Sequence, residues 1–340
     1  MIILGIESSC DETACGIVDS KTLEVKANVL YTQLEEHTPY GGVVPEVAAR
    51  SHLTKMPSIV EGALKQSGLG MSDIDLIAVT CGPGLMGPLL VGVAYAKGLG
   101  VSLDKPVVGV NHLEGHIAAA HLSYPDLQPP YICLTVSGGH TELTLVKENF
   151  EFELLGRTRD DAAGEAFDKG GKILGLGYPA GPIIGRLAST GNRKFFQFPR
   201  AMPQKTNLEF SYSGVKTSVL RYVEENGEEY VQNHINDICA SLETAIVDPL
   251  VKKSRAALKK FGLKQIVVCG GVSANKHLRK RFEDLEVGGE LEFYVPNFEY
   301  CTDNAAMIAG AAALRERAGL LNYNEIEVKS GLSLYKGVAR

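Results

Sequence analysis

Two stretches decide the architecture: residues 2–19, IILGIESSCDETACGIVD, and residues 131–147, YICLTVSGGHTELTLVK. In the first, apolar runs at 2–7 and 14–19 flank the polar loop Ser8, Ser9, Cys10, Asp11, Glu12. In the second, runs at 131–137 and 141–147 flank Gly138, Gly139 and His140. Short apolar runs joined by a polar or glycine-rich loop read as β-hairpins. Helical patterns and further short strands follow each hairpin, at 75–80 and 106–110 and again at 265–270 and 292–295. Two α/β halves, each opening with a hairpin, predict a duplicated fold closing on a ligand cleft. A length of 340 residues agrees, because single cores stop growing at about 250–300 residues.

Both hairpin loops are too polar or too glycine-rich to serve only as connectors. Such loops expose backbone N–H groups, and glycine lets a ligand approach the main chain. Residues 265–275, QIVVCGGVSAN, repeat the device as a strand, two glycines and the start of a helix, a ready anion site. Together the three point to a phosphate-bearing ligand. Gly82-Pro83-Gly84-Leu85-Met86-Gly87 matches the dinucleotide fingerprint, but the next strand ends in Asn111 where an acid is needed. A structural turn into a helix packed through Gly87, Gly92 and Ala96 is expected instead.

The sharpest local signal is Asn111-His112-Leu113-Glu114-Gly115-His116. His112 and His116 are four apart, so on a helix both rings share one face and could bind one ion. Without other context such a pair is more often structural. Glu114 would sit about 200° round the helix from His112 and point away. A zincin protease needs Glu directly after the first His, where this chain has Leu113. A third ligand must come from elsewhere, and Asp303 in Cys301-Thr302-Asp303-Asn304 is the candidate. The competing role for Asp303 is N-cap of the following helix. Two His and one carboxylate leave open coordination positions, which suits Fe²⁺, Zn²⁺ or Mn²⁺ as a Lewis acid.

The bulk composition narrows the rest. Apolar residues make up 45% and charged residues 22%, an ordinary globular balance. No run of 18 uninterrupted apolar residues reads as a membrane span, and IILGIE opens the chain without a signal-like segment. A cytoplasmic protein is expected. Seven scattered cysteines with no C-x-x-C pair fit reduced thiols. A net charge of −6 argues against non-specific coating of nucleic acid. Lys252, Lys253, Arg255, Lys259 and Lys260, and then Lys276, Arg279, Lys280 and Arg281, form two basic segments. Each is a solvated face or, less commonly, a phosphate-binding one.

In chain order, GIESSCDETACGIV, GGVVPEVAARSH, GPGLMGPLLVG, NHLEGHIAAAHL, VSGGHTEL, DDAAGEAFDKGGKILGLGYPAGP, FSYSGVKT, CGGVSANKHLR and CTDNAAMIAGAA resemble the TsaD family over essentially the full length. The resemblance implies an actin-like (ASKHA, ribonuclease H-like) two-domain α/β fold. It assigns residues 1–130 and a C-terminal helix at about 305–340 to the first half, and 131–304 to the second. It implies transfer of threonylcarbamoyl from threonylcarbamoyl-AMP to N6 of adenosine 37 in tRNAs reading codons that begin with A.

On matching positions, the resemblance makes His112, His116 and Asp303 the ligands of one divalent metal, with Fe²⁺ the first expectation and Zn²⁺ the second. Thr135, Val136, Ser137, Gly138 and Gly139 would bind the phosphate side of the substrate. Asp168, Gly181 and Asn275 would hold the ribose and adenine, while Asp11 and Glu12 would be catalytic. ATP or ADP could occupy the same cleft. The implied partners are tRNA, a TsaB-like actin-fold paralogue in a heterodimer and a TsaE-like P-loop ATPase, with no membrane. Glu46, Arg50 and His52 lie in a family-like helix without an assigned role. One departure stands out: relatives often carry an acid after PAGP, where this chain has Ile183-Ile184-Gly185. The alternative function is an ATP-dependent small-molecule kinase of the same fold, which leaves the His112/His116 pair unused.

Overall fold

The computed structural model describes residues 1–204, 206–323 and 326–335, and the chain divides into two compact units. Unit 1 takes Met1–Gln128, Asn149–Glu151 and Pro296–Arg340, and unit 2 takes Pro129–Glu148 and Phe152–Val295. The chain opens with β1 (Ile2–Glu7), β2 (Glu12–Asp19), β3 (Val25–Thr32), α1 (Leu34–His37) and α2 (Pro45–Ser67). Unit 1 continues with β4 (Leu76–Gly82), α3 (Met86–Leu103), β5 (Val107–Asn111) and α4 (His112–Ser123). Unit 2 supplies β6 (Tyr131–Val136), β7 (Thr141–Val146), β8 (Phe152–Arg157), α5 (Ala163–Ile173) and α6 (Ala180–Ala188). It goes on through α7 (Ser213–Asn226), α8 (Glu228–Asn233), α9 (Ile235–Phe261), β9 (Gln265–Cys269), α10 (Lys276–Val287) and β10 (Glu292–Tyr294). The chain then returns to unit 1 with α11 (Ala305–Arg317).

The units repeat one topology. In unit 1 the sheet runs β3-β2-β1-β4-β5, with the first hairpin and β3 antiparallel and β4 and β5 parallel to β1. In unit 2 the order β8-β7-β6-β9-β10 has the same directions. Both expected hairpins are present. Glu12, expected in the first loop, is instead the first residue of β2, paired with Thr32.

Alternation along β1 explains why unit 1 is covered on both faces. Ile3 packs with Val18, Leu76, Val108 and the alanines of α11, while Leu4 and Ile6 pack with Met56, Val60, Val79 and Val93. A strand buried on both faces reads as an unbroken apolar run, as IILGI does. α11 lies very close to the sheet. Gly5 and Gly16 face each other across β1 and β2, and a Cβ on either would stand 2.4 Å from the backbone of Ala305 or Ala306. Only hydrogen at both positions admits the helix.

Two boundaries differ from expectation. The units change over at Pro296, so Asp303 belongs to unit 1 with the two histidines. The C-terminal helix stops at Arg317, where Gly319 adopts a left-handed φ of 68°. No described residue beyond it is helical, and 336–340 lie outside the described residues. α3 is long and apolar enough to cross a membrane by length and composition alone, but a core helix passes the same test. Its Gly92, Val93 and Ala96 pack into unit 1, with the Gly92 position against Ser8. None of the seven cysteines is in a disulfide, and four lie in strands.

Candidate metal centre and active site

β5 runs into α4 without a loop, because Asn111 ends the strand and caps the helix. Its side-chain oxygen accepts the Leu113 N–H at 2.9 Å. His112 and His116 therefore open the helix on one face, both buried, with ring centroids 4.7 Å apart and nearly perpendicular. The third group arrives at the start of α11. There Asn304, not Asp303, is the N-cap, accepting the Met307 N–H at 3.0 Å. This removes the N-cap role from Asp303. With the cap supplied by its neighbour, its Oδ1 lies 3.2 Å from Nε2 of His116 and 3.5 Å from Nε2 of His112.

Glycine brings the two helices close. A Cβ at Gly115, between the histidines, would stand 2.8 Å from Cδ1 of Ile308 on α11. Glu114 turns away, as its position on the helix requires, and pairs with Arg315 of α11, whose Nε donates to it at 2.6 Å. Burial raises the Glu114 carboxyl, and Arg315 opposes that. A buried charge left without its partner costs several kcal/mol, on the order of 3–5. This pair therefore fixes the register of α4 against α11.

The donor set fits a divalent ion. One potential ligand atom from each of His112, His116 and Asp303 lies within 4.8 Å of the others. His116 is fully buried, yet neither ring nitrogen makes a hydrogen bond, Asp303 lying off the required line. Its Nε2 instead faces the Asp303 carboxylate at 3.2 Å, a disposition of imidazole and carboxylate that a shared cation would fit. Burial alone would raise the Asp303 carboxyl, but the two imidazoles outweigh it and hold the group well below the carboxylate range. Burial would likewise depress His112, but Asp303 and Glu7 overcome it and push the ring well above its ordinary value.

Asp11 and Glu12 stand in the same unit. Burial first, and then the negative charges of Asp303 and Asp11, push the Glu12 carboxyl well above its ordinary value. The Glu12 and Asp11 side chains share a hydrogen bond. The Asp11 carbonyl accepts the Gln33 N–H at 3.1 Å. His52 finds a role here: its Nε2–H donates to the Cys10 carbonyl at 3.0 Å and its Nδ1 accepts from Thr13 Oγ1 at 2.7 Å. The dinucleotide-like glycines prove to be packing residues. A Cβ on Gly84 would meet the Ser9 carbonyl at 2.5 Å, so that turn closes over the same loop.

In unit 2 the expected phosphate stretch divides. Thr135 and Val136 are buried in β6, with Thr135 Oγ1 3.5 Å from Cys269 Sγ, so their side chains serve the sheet. Gly138 and Gly139 form an exposed tip with open space where a Cβ would point. Ser137 closes the tip, its N–H donating to the His140 carbonyl at 2.8 Å and its Oγ accepting the His140 N–H at 3.1 Å. Behind it sits the N-terminus of α5, where Gly164 donates to the Ser137 carbonyl at 3.2 Å. A Cβ on Gly164 would stand 2.8 Å from the Gly138 Cα. Sequence reading passed over Gly164, although GEAFDKGG carries the small residues such an approach needs.

Asp168, Gly181 and Asn275 come together around α6. Asp168 Oδ1 accepts the Ala180 N–H at 2.8 Å, and the Gly181 N–H also binds its carboxylate. Burial raises Asp168, and these two amides oppose that. Asn275 caps α10 through Leu278 N–H at 2.9 Å and donates from Nδ2 to Glu243 Oε1 at 2.7 Å. Glu243, also bound by Arg193 at 2.6 Å, was not foreseen. At Gly185 a Cβ would stand 3.5 Å from Glu243 Oε1, so an acid there would face a carboxylate already in place.

The two basic segments are largely committed within unit 2. Lys253 is buried, donating to the Met202 and Asn207 carbonyls at 3.0 and 2.6 Å. Lys252 binds the Pro203 carbonyl, Arg281 pairs with Asp248, and Arg255 with Glu290. Lys252, Arg255, Lys259, Lys260, Lys276 and Lys280 are nevertheless exposed, as the expected solvated faces require.

A family model described as tRNA N6-adenosine threonylcarbamoyltransferase, TsaD, matches residues 24–310. The chain belongs to the TsaD family. A relative of that name from Thermosipho africanus is 47% identical over 335 residues, covering 98% of this chain and all of its own. One from Kosmotoga olearia is 49% identical over 323 residues, covering 95% and 96%. Among solved structures, HypF of T. kodakarensis superposes with a TM-score of 0.62 at 15% identity, over 96% of this chain and 49% of that one. Component A of the Acidaminococcus fermentans (R)-2-hydroxyglutaryl-CoA dehydratase gives 0.56 at 16%, over 94% and 99%. These likenesses carry the fold, which is the actin-like α/β architecture expected of a TsaD chain.

Proposed function

We propose that this chain transfers threonylcarbamoyl from threonylcarbamoyl-AMP to N6 of adenosine 37 in tRNA, with His112, His116 and Asp303 holding one divalent ion. The observation that carries the metal reading is the convergence of the buried His112 and His116 rings on the Asp303 carboxylate, with one potential ligand atom of each within 4.8 Å of the others. When bound, the ion supplies a Lewis acid for the carbonyl oxygen of the donor. Fe²⁺ or Zn²⁺ suits two imidazoles and one carboxylate.

The chain's own residues supply the rest. The bond that forms joins N6 of adenosine to the carbamoyl carbon. The bond that breaks is the carbon–oxygen bond of the mixed anhydride, and AMP leaves with the electron pair. The N6 proton passes to Asp11, held in place by its hydrogen bond with Glu12. Within unit 2, the N–H groups of Gly138 and Gly139 and the start of α5 supply an anion-favouring end for a phosphate. Asp168, Gly181 and Asn275 border the nucleoside. An anticodon loop is partly unstacked, so its base can be presented at modest cost. A TsaB-like paralogue, a TsaE-like ATPase and a cytoplasmic setting complete this reading.

The test is mass spectrometry of nucleosides from unmodified tRNA incubated with the protein, those partners and threonylcarbamoyl-AMP. Threonylcarbamoyladenosine should appear with wild type and fall at least 100-fold with His112→Ala or His116→Ala. Full transfer by either folded variant would remove the metal from the reaction. Transfer of a γ-phosphate to a small acceptor by the same preparation would restore the kinase alternative.

A further inference from the structure

Glu7 ends β1 fully buried. Its Oε1 accepts the Ser9 N–H at 2.5 Å, and its Oε2 accepts Thr80 Oγ1–H at 2.6 Å. His112 Nδ1 lies 3.0 Å from the same Oε2. Among the described residues Glu7 has no lysine or arginine partner. A buried carboxylate without a permanent cation is costly to keep. The only positive charge within its reach is the one that gathers at the histidine pair. Three elements pin the group: its own strand, β4 through Thr80 and α4 through His112. Its direction toward Nδ1 is therefore built in.

We propose that Glu7 is the positioning residue of the metal centre, accepting the Nδ1 proton of His112 so that Nε2 of that ring faces the ion with a free lone pair. This rests on the reading that His112, His116 and Asp303 hold a divalent ion. A carboxylate behind a ligand imidazole fixes the tautomer, orients the ring and makes it a better donor. The placement agrees with that task, because Nε2 is the nitrogen that faces Asp303. Ser9 Oγ, 3.2 Å from the same Nδ1, flanks the contact from the loop that carries Asp11. Glu7 also balances charge. With Asp303 it brings two negative charges to a dication held by two neutral rings.

The experiment uses the full chain, stripped of metal and titrated with Zn²⁺ against a chromophoric chelator. Wild type, Glu7→Gln, Glu7→Ala and His116→Ala are compared. Glu7→Gln should bind Zn²⁺ 10- to 100-fold more weakly than wild type, Glu7→Ala at least as weakly, and His116→Ala should lose the site. Wild-type affinity in Glu7→Gln, with binding lost in His116→Ala, would overturn the role of Glu7 and leave the metal reading standing. Failure of wild type itself to take up Zn²⁺ would overturn both.

A second measurement needs no variant that must fold. Long-range proton–nitrogen NMR of the zinc-loaded wild type should show His112 protonated at Nδ1 and ligated through Nε2. Ligation through Nδ1 would overturn the proposal whatever the variants do.

Discussion

His112 stands between two carboxylates, and in the metal-free protein this makes stability depend on pH in a definite direction. Its value is raised above the ordinary 6.5, so its contribution is fully present below about 6.5 and is lost as pH rises through the folded value. Asp303 is lowered below 3.8, so its contribution is present above that value and is lost as pH falls through the folded one. In chelator, urea midpoints should therefore fall as pH rises past neutrality, and His112→Asn should flatten that slope. Zn²⁺ affinity should rise over the same interval, as the ion ceases to compete with the His112 proton. A midpoint that climbs with pH in wild type would contradict the charge pattern. The histidine spacing was legible in the sequence, since four residues on a helix share a face. The third ligand was not decided there, because Asp303 and Asn304 are adjacent and either can cap. Glu7 was silent, being one acid at the end of an apolar strand.

At the scale of elements, α11 and its seat control the site. Asn304→Ala removes the cap, which costs about 1 kcal/mol, and frees the turn that carries Asp303. Thermal unfolding should drop by a few degrees and Zn²⁺ affinity should fall, whereas an Asn304→Asp or Asn304→Ser cap should retain both. Undiminished Zn²⁺ binding in Asn304→Ala would show that the turn is held by other contacts. The glycine seat is tested by contrast. Gly16→Ala sets a methyl 2.4 Å from the Ala306 nitrogen and should destabilise by at least about 1–3 kcal/mol. Gly62→Ala in α2 meets only Val29 methyls at 3.5 Å or more and should be neutral or stabilising by up to about 1 kcal/mol. Calorimetry of the pair separates them. The hairpins could be read from their apolar runs, but the end of α11 could not. Leu, Arg and Glu after Ala313 are good helix formers, and only the left-handed turn at Gly319 stops them.

On the scale of the whole molecule, the duplicated strand order was legible because each half opens with the same hairpin and loop chemistry. The membership of residues 296–304 was not, since nothing local marks the point where the chain changes units. A chain ended at Val295 should lose unit 1 while unit 2 keeps slow amide exchange, for α11 fills one face of the unit 1 sheet. Equal protection in both units would show that α11 is dispensable. The same threading has a consequence during synthesis. After Gln128 leaves the ribosome, residues 129–295 must still be translated before α11 exists, an interval on the order of ten seconds or more at bacterial elongation rates. Throughout it the nascent sheet has one bare apolar face, a target for chaperones. The two histidines wait for their carboxylate, so the proposed metal site cannot be complete before the closing stage of translation.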